Sequence, residues 1–138
     1  MEIEEMQFSD WEALRAKYLA ALFQNVPVPK SEVYLHTPLA FSQRPYAVFA
    51  FRLWQGMTVR QLAKSMRESI QDEVDHDGAE VMNMIGILGT CLKHSRLLKD
   101  LASEMPKRLK DALKAVRSEY EWLPSDPEKA FKRVFSLD

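Results

Sequence analysis

The sequence contains a single cysteine, Cys91, among 138 residues, and this scarcity excludes two kinds of scaffold. One cysteine cannot form a disulfide within the chain, and it cannot supply the several thiolates of a multi-cysteine zinc site. The chain has only four glycines, and none of them belongs to a glycine-rich phosphate-binding loop. The fold therefore has to be stabilised by the packing of apolar side chains, which make up 46% of the residues.

Long hydrophobic runs are also missing. The longest apolar stretch, VMNMIGILGTCL at residues 81–92, has about half the length that a membrane-spanning helix needs. The first residues, MEIEEMQF, are acidic and lack the basic-then-apolar pattern of a signal peptide. We therefore expect a cytoplasmic protein that does not bind a membrane.

The chain has no excess of one charge, because its formal net charge is −1. Overall charge thus predicts neither nucleic-acid binding nor an acidic tail. Locally the charges are segregated: residues 68–80 carry six acidic side chains and no lysine or arginine, whereas residues 93–117 carry eight basic and three acidic side chains. Opposite charge on two segments predicts a complementary contact within the fold, across a homo-oligomer or with a partner protein.

Helical periodicity and capping residues predict an all-α fold. Capping-box patterns, in which a serine or threonine precedes a glutamate or glutamine by three positions, occur at Ser9 and Thr58. Asp126 followed by Pro127 is typical of the start of a helix, here the last one. We expect one domain over residues 1–138, a bundle of about five or six helices.

A helix over about residues 79–104 is predicted to lie at the centre of this bundle. Its first half is apolar on nearly every side, which is typical of a buried helix. We expect three of its side chains to be almost fully buried: Ile85, Leu88 and Leu92. Gly86 and Gly89 lie inside it at a cost in helix propensity, which predicts that another backbone passes close to them.

Two other segments fit more than one structure. Residues 45–56, PYAVFAFRLWQG, are short enough to be a buried strand or a buried helix. A helix is favoured, because Pro45 suits the first helical turn and Gly56 suits the end. Residues 31–36 alternate enough for a short extended element, and they fit an extended linker equally well.

The stretch EVDHDGAE, residues 73–80, matches the first half of a calcium-binding loop. Such a loop has oxygen ligands at positions 1, 3 and 5 and a glycine at position 6. These positions are occupied by Glu73, Asp75, Asp77 and Gly78. The bidentate glutamate expected at position 12 is replaced by Met84, and a thioether is a poor ligand for a hard cation. We therefore interpret the stretch as the acidic end of a helix and expect no metal or other cofactor.

His76 adds a second weak metal-binding pattern, because it forms a Glu-x-x-His pair with Glu73 on one helix face. Di-iron carboxylate bundles use two such pairs and two further glutamates, and this sequence has one pair. A metal-dependent enzyme built on residues 68–80 is therefore the third functional hypothesis. Cys91 lies in the most apolar segment, where a thiol is usually buried and inert.

The leading hypothesis is a small non-enzymatic helical protein that binds another protein, as an adaptor, a regulator or a self-assembling subunit. No catalytic set of residues is evident in the sequence, and a fold class alone does not identify a more specific function. The alternative is a nucleic-acid-binding regulator that uses the basic helical surface of residues 93–117. The candidate contact residues are Lys93, Arg96, Lys107, Arg108, Lys110 and Lys114 on the basic side, and Glu68, Asp72 and Asp75 on the acidic side.

Overall fold

The structure is a computed structural model that describes residues 3–27, 39–73, 89 and 93–137. Every regular element in these ranges is a helix, so the predicted all-α class is confirmed for the part of the chain described. Among the described residues, a short 3₁₀ helix over Ile3–Glu5 precedes six α-helices. The α-helices are α1 (Phe8–Leu22), α2 (Leu39–Trp54), α3 (Val59–Glu73), α4 (Ser95–Ser103), α5 (Met105–Arg117) and α6 (Pro127–Val134).

The chain divides into two compact units. Unit 1 comprises Met1–Pro27 together with Glu104–Asp138, and in it α1, α5 and α6 pack against one another. Unit 2 comprises Val28–Ser103, and in it α2 packs against α3 and α4. The expectation of one domain over residues 1–138 stays a prediction.

The core of unit 1 is built from one apolar face of each of its three helices. Buried residues recur every three or four positions, as an amphipathic helix requires. Phe131 of α6 is completely buried, and its ring centroid lies 4.8 Å from that of Phe135 and 6.2 Å from that of Tyr18. Tyr18 and Phe135 meet edge to face at 5.9 Å, so the three rings form an aromatic cluster between α1 and the C-terminal end of α6.

Two of the three helix caps predicted from the sequence, at Thr58 and Asp126, are confirmed. The Thr58 amide donates to the Gln61 side chain at 2.8 Å, and the Gln61 amide donates back to Oγ1 of Thr58 at 3.1 Å. The carboxylate of Asp126 accepts a hydrogen bond from the amide of Glu128 at 3.3 Å, with Pro127 as the first residue of α6.

The predicted helix start at Ser9 is wrong, because α1 begins earlier, at Phe8. Gln7 is the capping residue, and its amide donates to the carboxylate of Asp10 at 2.8 Å. A carboxylate is favoured near the positive end of the helix dipole, so Asp10 competes successfully with the capping pattern that starts at Ser9.

The helix predicted over residues 45–56 is confirmed, but it starts at Leu39, well before Pro45. It ends at Trp54, and the predicted stop residue Gly56 follows in the turn with a positive φ of 107°. The amide of Gly56 donates to the carbonyl of Leu53 at 3.0 Å, and that of Met57 donates to the carbonyl of Arg52 at 3.1 Å. This pair of hydrogen bonds is a Schellman motif, which glycine permits because it tolerates the left-handed conformation.

The helix predicted over residues 79–104 is interrupted at His94, which forms a turn before α4 begins at Ser95. The turn falls where the sequence changes from apolar on all sides to apolar on one face. In α4 that face is buried through Leu98, Leu101 and Ala102. Ile85, Leu88, Leu92 and the possible extended element near 31–36 lie outside the described residues.

The close backbone approach predicted at Gly89 is not observed among the described residues. Gly89 is exposed, and a Cβ placed there would meet no atom of the described residues within 4 Å. Gly86, for which the same was predicted, lies outside the described residues.

The hydroxyl of Tyr18 is buried and has no hydrogen-bond partner among the described residues, and this burial raises the pKa of the phenol. Above the ordinary pKa of 10.0, the unfolded chain loses this proton while the folded chain keeps it, so stability falls as the pH rises. We expect the unfolding free energy of the wild type to fall faster than that of Tyr18→Phe, by about 1.4 kcal/mol per pH unit above pH 10.

Urea unfolding of both proteins from about pH 9 to about pH 12 measures this difference, because every other group contributes equally to both. Near pH 9 the phenylalanine variant should be at least as stable as the wild type, since it removes a buried hydroxyl that lacks a partner. Parallel pH profiles for the two proteins would contradict the prediction.

Candidate functional site

Four exposed basic residues of α5 lie along one side of the helix. The helix buries Met105, Leu109, Ala112, Leu113 and Val116 against the core of unit 1. The basic residues follow one another at spacings of three, four and three, which places them on a single helix face. They are Lys107, Lys110, Lys114 and Arg117, and together we call them the cationic stripe. The stripe extends over about 15 Å of helix, at 1.5 Å per residue.

Within the part of the chain described, no ion pair neutralises the charges of the cationic stripe. None of its four side chains forms an ion pair with any residue in the described ranges. Lys114 and Arg117 lie in the last turn of α5, where the helix dipole favours positive charge. Lys107 lies at the opposite end, where the dipole disfavours a cation, so helix stability gives no reason for a lysine there.

Arg108 differs from its neighbour Lys107, because its side chain is held inside unit 1. One of its terminal nitrogens donates to the carbonyl of Leu22 at 2.8 Å and to that of Gln24 at 3.3 Å. Its Nε donates to the carboxylate of Glu104 at 2.7 Å. The guanidinium therefore caps the C-terminal end of α1, where carbonyl groups lack partners. The expectation that Arg108 is a freely exposed contact residue is wrong, since its side chain is only 19% exposed.

The other two predicted basic contact residues belong to unit 2. Lys93 is exposed, and Arg96 is exposed in the first turn of α4. The basic surface predicted over residues 93–117 is therefore divided between two units, and the cationic stripe is its part in unit 1.

The predicted acidic contact residues are placed only in part. Glu68 is exposed on α3, and Asp72 lies four positions later on the same helix, next to Glu73. Asp75, His76 and Asp77 lie outside the described residues. Within the described ranges, no group of three or more His, Cys, Asp or Glu side chains is placed to hold a metal ion. The hypothesis of a metal-dependent enzyme therefore gains no support from the part of residues 68–80 that is described.

Sequence reasoning missed a basic groove in unit 1, which we call the Trp11 groove. It has a volume of about 510 Å³ and combines apolar and basic side chains from α1, from α6 and from the segments that flank α6. Its main lining residues are Trp11, Pro124, Lys129, Lys132, Arg133 and Leu137. The sequence signal was the segment EKAFKRVF, whose basic residues occupy the positions that the apolar face of the helix leaves free.

Contacts between α1 and the C-terminal segment fix the indole of Trp11. Its ring meets Trp122 edge to face at 5.5 Å, and the guanidinium of Arg15 lies 5.5 Å from its centroid. Arg15 in turn donates from Nε to the carbonyl of Val134 at 2.8 Å and forms an ion pair with Glu12 at 3.1 Å. The Trp11 side of the groove is therefore held in place by contacts that the indole already makes.

Comparison of the chain with protein-family models, with curated proteins and with solved structures finds no match. Among the described residues, no helix has the length and apolar character to cross a membrane. The two basic surfaces of unit 1 are therefore the features that bear on function.

Proposed function

We propose that this protein is a non-enzymatic binding protein whose cationic stripe docks on an acidic protein surface. The observation that supports the proposal is the stripe itself, with four exposed cations on one helix face and no partner among the described residues. Complementary charge of this kind steers association and fixes the orientation of the partners. The acidic surface belongs to an adaptor partner or to a second copy of this chain.

A second copy is a chemically suitable partner because the chain carries its own acidic segment. Residues 68–80 contain six acidic side chains without a lysine or arginine, and Glu68 is exposed on α3. A stripe of one copy that meets this segment of another copy would neutralise both charges. Self-association through these surfaces is therefore the form of the proposal that needs no further protein.

A nucleic-acid-binding regulator is the second candidate, because the same four cations could meet phosphates. Their number limits this role. Neutralising four phosphates gives a slope of only about −3.6 when the logarithm of the binding constant is plotted against the logarithm of the salt concentration. Glu104 and Asp111 are also exposed on this part of unit 1 and would repel a phosphate backbone. Because of these two acids, a continuous polyanion is a poorer partner than an acidic protein surface, whose charges can be arranged to avoid them.

Charge reversal in the stripe tests the proposal. We expect Lys110→Glu with Lys114→Glu to weaken binding of a labelled peptide with the sequence of residues 68–80 by about tenfold or more, because two attractive contacts become repulsive. Fluorescence anisotropy at physiological ionic strength measures the affinity of the protein for the labelled peptide. A short labelled DNA duplex is titrated with the protein in parallel.

The matched control is Lys64→Glu with Lys99→Glu, which makes the same change of charge at two exposed positions of unit 2. This control should retain most of the affinity for the peptide. Equal loss in both double variants would show that only net charge matters and would contradict the role of the stripe. Tight duplex binding that the stripe variant abolishes, without peptide binding, would establish the nucleic-acid alternative instead.

A further inference from the structure

The Trp11 groove is a second basic surface that the proposed function does not use. Its lining contains three basic residues and no acidic residue, so its charge selects an anionic occupant. Lys129 and Arg133 are both exposed, and neither forms an ion pair within the part of the chain described. Lys132 is partly engaged, because Glu128 lies 3.8 Å from its ammonium group. Two cations are therefore available to a ligand at this surface.

The same groove also offers apolar contact area. The indole of Trp11 and the side chains of Pro124 and Leu137 are half-buried and line it beside the cations. An indole that is partly exposed and fixed in place provides a large contact surface at little cost in conformational entropy. An occupant that used the whole groove would therefore carry an apolar side chain as well as negative charge.

Part of the groove is shaped by the end of α6, because Ser136 and Leu137 belong to its lining. The amide of Leu137 donates to the carbonyl of Lys132 at 2.8 Å, and Ser136 between them adopts a positive φ of 55°. This closure of the helix fixes the backbone that carries Leu137. Because Trp11 is also held by Trp122 and Arg15, two parts of the groove lining are fixed before any ligand arrives, which lowers the entropic cost of binding.

We propose that the Trp11 groove binds an acidic peptide segment of a partner protein. Carboxylates of the segment pair with Lys129 and Arg133, and an apolar side chain between them packs on Trp11 and Pro124. The groove supplies one indole, and Arg15 and Trp122 already contact it. Single-stranded nucleic acid is usually held by several aromatic side chains on which successive bases stack, so a peptide fits this surface better. The site is independent of the cationic stripe.

Nuclear magnetic resonance tests the proposal, because the three tryptophans give separate indole N–H signals and Trp11→Phe assigns that of Trp11. Three synthetic hexapeptides serve as probes: EEDLEE, EEDGEE without the apolar residue, and QQNLQQ without the charge. We expect EEDLEE to shift the Trp11 signal in a saturable way. The other two peptides should bind about tenfold more weakly, because one lacks the apolar side chain and the other lacks the carboxylates.

Two charge-reversed variants separate this site from the stripe. Lys129→Glu with Arg133→Glu should abolish the shift that EEDLEE causes, whereas Lys110→Glu with Lys114→Glu should leave it within about twofold. The dispersion of the amide spectrum shows that each variant is folded. If the shift is lost in the stripe variant and kept in the groove variant, if QQNLQQ binds as well as EEDLEE, or if oligothymidylate binds more tightly than EEDLEE, the proposal is overturned.

Discussion

Replacing Phe131 with alanine should lower the free energy of unfolding by about 3–5 kcal/mol. Phe131 is completely buried and lies between Tyr18 of α1 and Phe135 at the end of α6. Its removal takes away buried apolar area and leaves a cavity that two aromatic rings cannot fill without moving. Urea-induced unfolding followed by circular dichroism measures the loss.

Phe8→Ala is the matched control, because it deletes the same atoms from a side chain that is 75% exposed. This variant should change the unfolding free energy by no more than about 0.5 kcal/mol. A cost below about 1 kcal/mol for Phe131→Ala would mean that the aromatic cluster repacks around the cavity. That outcome would contradict the close packing of α6 on α1.

Replacing Arg108 with methionine should cost about 2–3 kcal/mol, because it leaves the carbonyls of Leu22 and Gln24 and the carboxylate of Glu104 without their donor. The same replacement at Lys107 should change the unfolding free energy by less than about 0.5 kcal/mol, since that side chain is exposed and unpaired among the described residues. The two variants remove equal charge from adjacent positions, so net charge cancels in the comparison.

Thermal and urea unfolding of the pair measure this difference. Arg108→Lys should recover only part of the stability, because an ammonium group lacks the planar fork that reaches two carbonyls and a carboxylate together. Equal stability of the methionine variants would show that solvent satisfies the end of α1 as well as Arg108 does. In that case Arg108 would return to the set of surface cations available to a partner.

Local capping chemistry explains which helix boundaries the sequence predicts. The start of α3 follows from Thr58 and Gln61, which lie three positions apart and satisfy each other. At α1 the pattern at Ser9 predicts a start that is too late. The amide of Gln7 instead donates to the carboxylate of Asp10, and the helix begins at Phe8. Both candidates are local, and only the geometry of the fold decides between them.

Tertiary contacts explain what the sequence cannot predict about the two basic surfaces. The cationic stripe follows from helical spacing alone, because its four residues lie on one helix. The difference between Lys107 and Arg108 depends on the carbonyls of α1, which are more than 80 residues away in the chain. The Trp11 groove likewise requires that α1 meets the segment around α6, and no periodicity within either segment indicates that contact.

The assembly of unit 1 from both halves of the sequence has a consequence for synthesis. On the ribosome α1 emerges about 80 residues before α5, which at about 5–20 residues per second is a delay of about 4–16 s. During that delay the apolar face formed by Leu14, Tyr18 and Leu22 lacks α5 and α6, the helices on which α1 packs in the part of the chain described. The apolar face of α1 therefore stays without its native packing in unit 1 until the residues of α5 have been synthesised and can fold.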